Sequence, residues 1–201
     1  MNFAISVVVA SAIFLSGPVY AARQESADGD PARFVESLGD SVVKILENPG
    51  LSHKQRIERY SSLFKTAFDL DSIGSFAIGR YRNTIADAKY TRFRDLFGQH
   101  LIHIYASKFA NYSGEKFVVK GERKLSDGLT AVTASIRGTS DTPPTNLTFK
   151  VASNGESMKI HDVVINGVSL LVTKRQEVMS IMANGGIDHL IDKLQELDRK
   201  S

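Results

Sequence analysis

The sequence has no cysteine and no tryptophan, and only five of its 201 residues are proline. The absence of cysteine excludes disulfides, cysteine-ligated metal centres and thiol catalysis, so stability must come from packing. With 42% hydrophobic residues, 23% charged residues and a net charge of +3, the composition is that of a globular chain rather than a disordered one. The sequence also has no glycine-rich phosphate loop and no nucleophile elbow, which removes two large classes of enzyme.

The N-terminus resembles a processing segment. The apolar run from Phe3 to Leu15 is shorter than the ~20 residues that a membrane-spanning helix needs. Small residues before a cut after Ala21 predict a signal peptide over 1–21, a flexible leader over 22–29 and a single domain over 30–201. The alternative is a short anchor that is never cleaved. An exported chain without cysteine indicates the periplasm, where nucleic acid is not an expected partner.

The first half of the chain has helical periodicity. Asp30 and Pro31 predict the start of a helix that ends before Asn48, and Ser52 with Gln55 predicts a capping box for a second. Asp71 is predicted to cap a short third helix through Ile78. A long helix is predicted from Thr84 to about Tyr112, with one apolar stripe spaced four residues apart: Phe93, Phe97, Leu101, Tyr105 and Phe109.

From Glu115 the apolar period changes to two, and glycine- and proline-containing turns separate five predicted strands. The last of these is predicted to contain Val168, Leu170 and Val172. Short turns make the strands antiparallel neighbours. Two helices are predicted to close the chain, from Arg175 to Ala183 and from Ile187 to Leu197.

Helices, then an antiparallel sheet, then helices is an α+β order, and it predicts a cone in which helices cover one face of a curved sheet. If the helices do not fill the mouth of the cone, an apolar cavity remains between the two layers. Periodicity alone leaves the state of that cavity open.

Few residues suggest chemistry. His100 and His103 are three residues apart on the long helix, but no third metal ligand accompanies them. Strict alternation places Asp162 among apolar residues, on the face of Ile160, where a carboxylate needs a partner. Either a bulge turns Asp162 outward, or it is a structural anchor for a cation such as Arg175 or Arg80. We favour the anchor over a catalytic base, and we expect no catalytic residue, no metal and no cofactor.

Basic residues are concentrated in two places. One group lies on the second helix and the other around the start of the long helix: His53, Lys54, Arg56 and Arg59, then Arg80, Arg82, Lys89, Arg92 and Arg94. The usual interpretation is a solvated face. The functional alternative is attraction to anionic lipid head groups or to an acidic partner surface.

Five blocks, in this order and spacing, resemble one family. They are Phe68-Asp-Leu-Asp-Ser-Ile, Ala77-Ile-Gly-Arg-Tyr, Tyr112-Ser-Gly-Glu, Asp162-Val-Val-Ile-Asn-Gly-Val-Ser-Leu and Arg175. Together they make the chain similar, from about Ala32 to Leu197, to the MlaC-like, toluene-tolerance family of periplasmic phospholipid carriers. The resemblance implies a fold like that of nuclear transport factor 2, with lipid acyl tails between sheet and helices and the head group in solvent.

The resemblance also implies partners. A carrier of this family shuttles lipid between an outer-membrane lipoprotein complex and an inner-membrane ABC transporter complex that includes a ring-forming substrate-binding protein. The chain departs from the family pattern at Arg82 and Met158, where many relatives have tryptophan. Because one branch of the family is associated with hopanoids, the cargo stays open between a phospholipid and a hopanoid.

The predicted lipid-binding residues come from the third helix, the long helix and the inner face of the sheet: Phe76, Ile78, Tyr81, Phe97, Leu101, Tyr105, Val132, Ala134, Leu147, Phe149, Ile160, Val168 and Leu170. Any of them could equally be ordinary core, because pocket and core have the same composition. Two other classes of function stay open. One is an isomerase or hydratase on the same fold that uses Asp162, and the other is a periplasmic adaptor with a filled core.

Overall fold

The computed structural model describes residues 29–108, 114–138, 143–155 and 157–199. The predicted signal peptide, the predicted leader up to residue 28, Phe109 and Tyr112 lie outside these ranges. The chain forms α1 (Pro31–Leu46), α2 (His53–Ala67), α3 (Leu70–Ile78), a 3-10 helix (Gly79–Thr84), α4 (Asp87–Lys108), β1 (Lys116–Ser126), β2 (Leu129–Arg137), β3 (Thr145–Ser153), β4 (Met158–Ile165), β5 (Val168–Ser169) and α5 (Leu170–Arg199). Over the described ranges, no helix is both long enough and apolar enough to span a membrane.

The first two helices begin where the sequence predicts. The Asp30 side chain accepts a hydrogen bond from the backbone N–H of Arg33, at 2.9 Å, and Pro31 follows at the first helical position. The Ser52 hydroxyl accepts from the N–H of Gln55, whose side chain accepts from the N–H of Ser52 in return. These local hydrogen bonds satisfy N–H groups that have no partner within the helix.

Two helix starts differ from the prediction. Asp69, not Asp71, caps α3, because its carboxylate accepts from the N–H of Ser72 at 2.9 Å. Thr84 ends the 3-10 helix instead of opening the long helix, and α4 begins at Asp87. Asp69 and Asp71 are short polar side chains within one turn of each other, so the sequence offers more than one candidate cap for α3.

The five strands form one antiparallel sheet in the order β1-β2-β3-β4-β5, as predicted. The fifth strand is much shorter than predicted. It contains only Val168 and Ser169, and α5 begins at Leu170. The Ser169 hydroxyl and the Asp162 carboxylate accept from the N–H groups of Val172 and Leu171, and these two caps start the helix.

The two predicted closing helices are halves of α5, separated at Gly186, whose φ of 70° and ψ of −168° are not helical. A positive φ is accessible to glycine at low cost, which explains the kink at this position. The helix packs against α3 and α4. Their shared core includes Ile78, Phe93 and Leu190, each at most 1% exposed.

A second core cluster joins α1 and α2 to the sheet. Its fully buried members are Val35 on α1 and Val132, Val151 and Ile160 on β2, β3 and β4, with Ala67 at the end of α2. We call this part of the sheet the core end. The predicted α+β cone, with helices covering one face of a curved antiparallel sheet, is confirmed.

Candidate ligand cavity and its polar end

A cavity of about 600 Å³ lies between the inner face of the sheet and the helices. Its volume is within the ~300–1,000 Å³ of typical small-ligand sites. The sheet contributes inward-facing side chains from the end of each strand that lies opposite the core end, including Phe117, Ile136, Leu147, Val163 and Ile165. We call this part of the sheet the cavity end. Apolar walls of this kind favour hydrocarbon over water.

The cavity wall reaches one edge of the sheet. The start of β1 is paired with the end of β2, and the start of β3 is paired with both the end of β2 and the end of β4. All four strands therefore bring Glu115, Gly138, Thr145 and Ile165 to the same edge, where each lines the cavity. At the opposite end, the core cluster packs between the sheet and the first two helices.

Six of the thirteen predicted lipid-binding residues line the cavity: Phe97, Leu101, Tyr105, Leu147, Phe149 and Leu170. The other seven lie elsewhere. Val132, Ala134, Ile160 and Ile78 are buried in the packed cores or in the sheet, Tyr81 packs against the helical core, Phe76 is 42% exposed, and Val168 is 60% exposed. Val168 pairs with Ile165 on the short β5 and is left exposed at the end of the sheet.

The sequence-based list omits α1 and α2, which form much of the helical wall. The missed residues include Leu38, Val42, Leu63 and Phe64. Their signal is present, since the apolar stripe of α1 recurs every three or four residues. An amphipathic stripe predicts that a face is buried, but it does not distinguish a face that meets side chains from one that meets a cavity.

Gly39 brings α1 unusually close to β1. An added Cβ at Gly39 would lie 2.4 Å from Cδ1 of Phe117, well inside van der Waals contact. Both residues line the cavity, and the Phe117 ring meets the edge of the Phe149 ring at a centroid distance of 6.1 Å. The absence of a side chain at Gly39 therefore makes room for the Phe117 ring on the cavity wall.

A bulge in β4 sets the position of Asp162. Lys150 pairs with Asp162 and Val151 pairs with Ile160, so His161 is an extra residue in β4. The bulge moves Asp162 to the Lys150 side of the sheet, away from the Ile160 side that strict alternation predicts. His161 Nε2 lies 3.1 Å from Asp69 Oδ2, which ties the bulge to the start of α3.

Asp162 is a structural anchor for groups other than those predicted. It is 5% exposed, and its oxygens accept from Lys150 Nζ at 2.9 Å, from the Ser169 hydroxyl at 2.8 Å and from the N–H of Leu171 at 3.2 Å. The predicted pairing with Arg175 or Arg80 is wrong. Three donors on one buried carboxylate compensate its desolvation.

Arg175 anchors a different contact. Its guanidinium donates to the carbonyl of Phe76 and lies 4.7 Å from the centroid of the Phe76 ring. Gly79, with a φ of 54°, lies beneath the same guanidinium, where a Cβ would be 2.6 Å from one of its nitrogens. Arg175 thus holds the end of α3 against α5, outside the cavity.

Ionisable groups collect where α4 meets α5. Burial lowers the pKa of His100 below its ordinary value, and the charge of Lys174 lowers it further. Burial also raises the pKa of Tyr105 to about 12, assisted by the negative charges of Glu177 and Asp162. The Tyr105 hydroxyl is therefore protonated at neutral pH.

His103 is 2.9 Å from Asp198 and does not share a ligand with His100. No cluster of three metal-ligating side chains occurs over 29–108, 114–138, 143–155 and 157–199.

The basic groups at the start of α4 are largely paired with acids. Arg82 lies 2.9 Å from Asp87, Lys89 lies 2.7 Å from Asp188, and Arg94 lies 2.6 Å from Asp71. These exposed pairs offset much of the local positive charge. The predicted attraction of this surface to anionic head groups is correspondingly weakened.

Comparison with known proteins agrees with this architecture. The family model described as "MlaC protein" matches residues 36–196. The chain is 27% identical over 192 residues to the intermembrane phospholipid transport system binding protein MlaC of Haemophilus influenzae, covering 94% of this chain and 86% of that protein. The structure of a phospholipid-binding protein from Ralstonia solanacearum, solved in complex with a phospholipid, superposes with a TM-score of 0.73 at 21% identity, covering 86% of this chain and 98% of the other. The fold is therefore shared with a phospholipid-binding protein, and the chain belongs to the MlaC family.

Proposed function

We propose that this chain is a periplasmic lipid carrier that holds the acyl chains of a phospholipid in the cavity between sheet and helices. The observation that carries the proposal is the cavity of about 600 Å³, which is partly open to solvent and has mainly apolar walls. The names of the Haemophilus relative and of the Ralstonia structure support phospholipid as the cargo. A hopanoid remains the alternative cargo.

The energetics suit a carrier. Each buried methylene is worth about 0.8 kcal/mol, so a lipid with ~30 methylenes gains on the order of 20 kcal/mol on leaving water. Only an apolar enclosure can compete with a bilayer for such a molecule. Because exchange between bilayer and carrier is then nearly neutral, the direction of transport must come from partners. We assign that role to an inner-membrane ABC transporter complex with a ring-forming binding protein and to an outer-membrane lipoprotein complex.

We further propose that the chain performs no chemistry. Asp162, the residue on which an isomerase or hydratase would depend, has both carboxylate oxygens occupied by Lys150, Ser169 and the N–H of Leu171. These three donors hold the carboxylate against β3, β5 and the start of α5. This arrangement supports a structural role over a catalytic one.

Organic extraction of the protein purified from its periplasm, followed by mass spectrometry, tests the proposal. We expect a stoichiometric amount of phospholipid. A stoichiometric hopanoid would keep the carrier function and change the cargo. Protein that is free of lipid, and that takes up none from vesicles, would contradict carriage and favour the adaptor.

A matched pair of variants tests the site. Leu170→Trp places a large ring on the cavity wall, whereas Val172→Trp places the same ring two residues further along α5, where the side chain is 43% exposed. We expect Leu170→Trp to lose most of the bound lipid while keeping its secondary structure, and Val172→Trp to retain it. Equal lipid content in the two variants would show that the cavity is not the binding site.

A further inference from the structure

The cavity has a polar end beside the β4 bulge. β5 runs back along β4 for two residues and the N–H of Leu171 donates to Asp162, so α5 begins next to the bulge and brings Leu170, Leu171 and Lys174 to the cavity wall. Tyr105 of α4 also lines the cavity, and the charges of Glu177 and Asp162 both reach its hydroxyl. A lipid whose acyl chains occupy the apolar part would place its polar part here.

Lys174 is the one lysine or arginine among the described residues that line this cavity. Only 17% of its side-chain surface is exposed. Enclosing an ammonium group is costly unless an anion or several acceptors compensate it. The charge of Lys174 also reaches across to α4, where it lowers the pKa of His100.

Helix stability does not explain a lysine at this position. Lys174 is the fifth residue of α5, close to the positive end of the helix dipole, where a cation gains nothing. Its carboxylate partner is Glu177 at 2.7 Å, and lysine before glutamate is the weaker order for such a helical pair. Glu177 is itself 51% exposed, so water can take over its solvation.

The other donors of this region are already committed. The N–H groups of Leu171 and Val172, at the start of α5, donate to Asp162 and Ser169. Lys150 donates to Asp162 at 2.9 Å. An anion that arrives at the polar end therefore finds Lys174 as its cation, and it can replace Glu177 without leaving a buried carboxylate unpaired.

We propose that Lys174 binds the phosphate group of the lipid, so that the carrier selects phosphate-bearing lipids over uncharged lipids with the same acyl chains. This inference rests on the proposed function and adds specificity to it. The acyl chains supply most of the affinity and the phosphate supplies discrimination, because a charge-assisted hydrogen bond in a partly desolvated site is stronger than one in water. Glu177 is the competing anion, which lipid entry displaces into solvent.

The test compares binding of phosphatidylglycerol and of diacylglycerol with identical acyl chains to the full mature protein. We expect the wild type to prefer phosphatidylglycerol by about 10-fold, in line with one charge-assisted hydrogen bond. Lys174→Met should bind the two lipids equally. Lys193→Met is the matched control, because Lys193 forms the same kind of pair with Glu196 on the same helix, outside the cavity wall; it should keep the preference.

A second variant keeps the proposal testable if Lys174→Met folds poorly. Glu177→Gln removes the competing anion, and we expect it to increase the preference for phosphatidylglycerol by a few fold. A preference that is unchanged in both Lys174→Met and Glu177→Gln would overturn the role of Lys174 while leaving lipid carriage intact. A wild type that binds neither lipid would instead contradict the proposed function itself.

Inorganic phosphate provides the last arm of the test. We expect it to bind the lipid-free wild type only weakly, because it lacks the acyl chains that hold a phosphate at Lys174. Tight binding of inorganic phosphate that Lys174→Met abolishes, together with no preference between the two lipids, would assign the site to free phosphate and overturn the lipid assignment.

Discussion

The two ends of the sheet's inner face have the same alternating apolar pattern, but one end is packed and the other lines the cavity. At the core end, Val132, Val151 and Ile160 are at most 1% exposed and pack against Val35 of α1. At the cavity end, the next inward residues of the same strands, such as Val163 and Ile165, face open space. The difference lies in what the helices bring to each end, so one alternating pattern produces both a packed core and a binding cavity.

The largest expected effect comes from shortening one isoleucine at each end of β4. Ile160→Ala should lower the free energy of unfolding by ~2–5 kcal/mol, because it creates a void in a closely packed cluster. Ile165→Ala should cost less than half as much, since Ile165 is half-buried and already borders the cavity. Urea unfolding of the lipid-free protein measures both. Equal losses would mean that the cavity end is packed like the core end.

The boundary between the two ends is the β4 bulge, and Asp162 holds it. Asp162→Asn should lower the free energy of unfolding by about 1–3 kcal/mol, because a buried charged hydrogen bond to Lys150 is lost. The loss stays below that of a fully buried ion pair because the Lys150 side chain is 37% exposed and can reach water.

Lys150→Met, alone and in the Asp162→Asn background, completes a double-mutant cycle for this pair. We expect the double variant to be about as stable as Asp162→Asn alone, because the pair is already broken. Lipid content should change little in either protein. A variant that folds and unfolds normally but loses a turnover activity would instead support the rival enzyme.

How far the sequence predicts this molecule depends on the range of the interactions involved. The caps at Asp30 and Ser52 and the antiparallel strand order follow from neighbours in sequence, and they are predicted correctly. The short β5 is not, because Val168, Leu170 and Val172 alternate like a strand while Asp162, eight residues before Leu170, caps the helix that replaces it. That cap exists only once β4 has its bulge.

The candidate site divides in the same way. Phe149 lines the cavity and Val132, its cross-strand neighbour, is buried in the core, although both occupy inward positions of adjacent strands. Only the placement of α1 and α2 separates them. The alternation of a strand identifies its inward face, but it carries no information on how closely the opposite layer approaches.

Gly39→Ala tests how far the Phe117 ring can move at the cavity end. Gly39→Ala pushes a methyl group towards the Phe117 ring, and the ring has the cavity on its other side. We expect the free energy of unfolding to stay the same or rise by up to ~1 kcal/mol, because alanine is the better helix former. Lipid affinity should fall several fold as the ring moves inward.

Gly98→Ala on α4 is the control for Gly39→Ala. A Cβ at Gly98 would lie 3.3 Å from the flexible side chain of Leu70, and Gly98 is not part of the cavity wall. We expect lipid affinity to stay unchanged in this variant. A strongly destabilised Gly39→Ala protein would show that Phe117 has no room to move and that this part of the wall is packed.

The smallest expected effect is a pH dependence at the cavity end. Burial and the charge of Lys174 lower the pKa of His100 below 6.5, so the folded protein favours the neutral imidazole. The resulting stability is fully present above the ordinary pKa and is lost as pH falls, because the unfolded chain takes up the proton first. Glu177 and Asp198 oppose this shift and His103 adds to it, but the net direction is set by burial.

His100→Gln should therefore flatten the dependence of the unfolding free energy on pH between about pH 7 and about pH 5, the range in which histidine titrates. Chemical unfolding of the wild type and of His100→Gln at a series of pH values measures the difference. A steeper loss of stability in His100→Gln than in the wild type would mean that His100 is stabilised in its charged form. The junction of α4 and α5 would then be more hydrated than the proposed phosphate site at Lys174 requires.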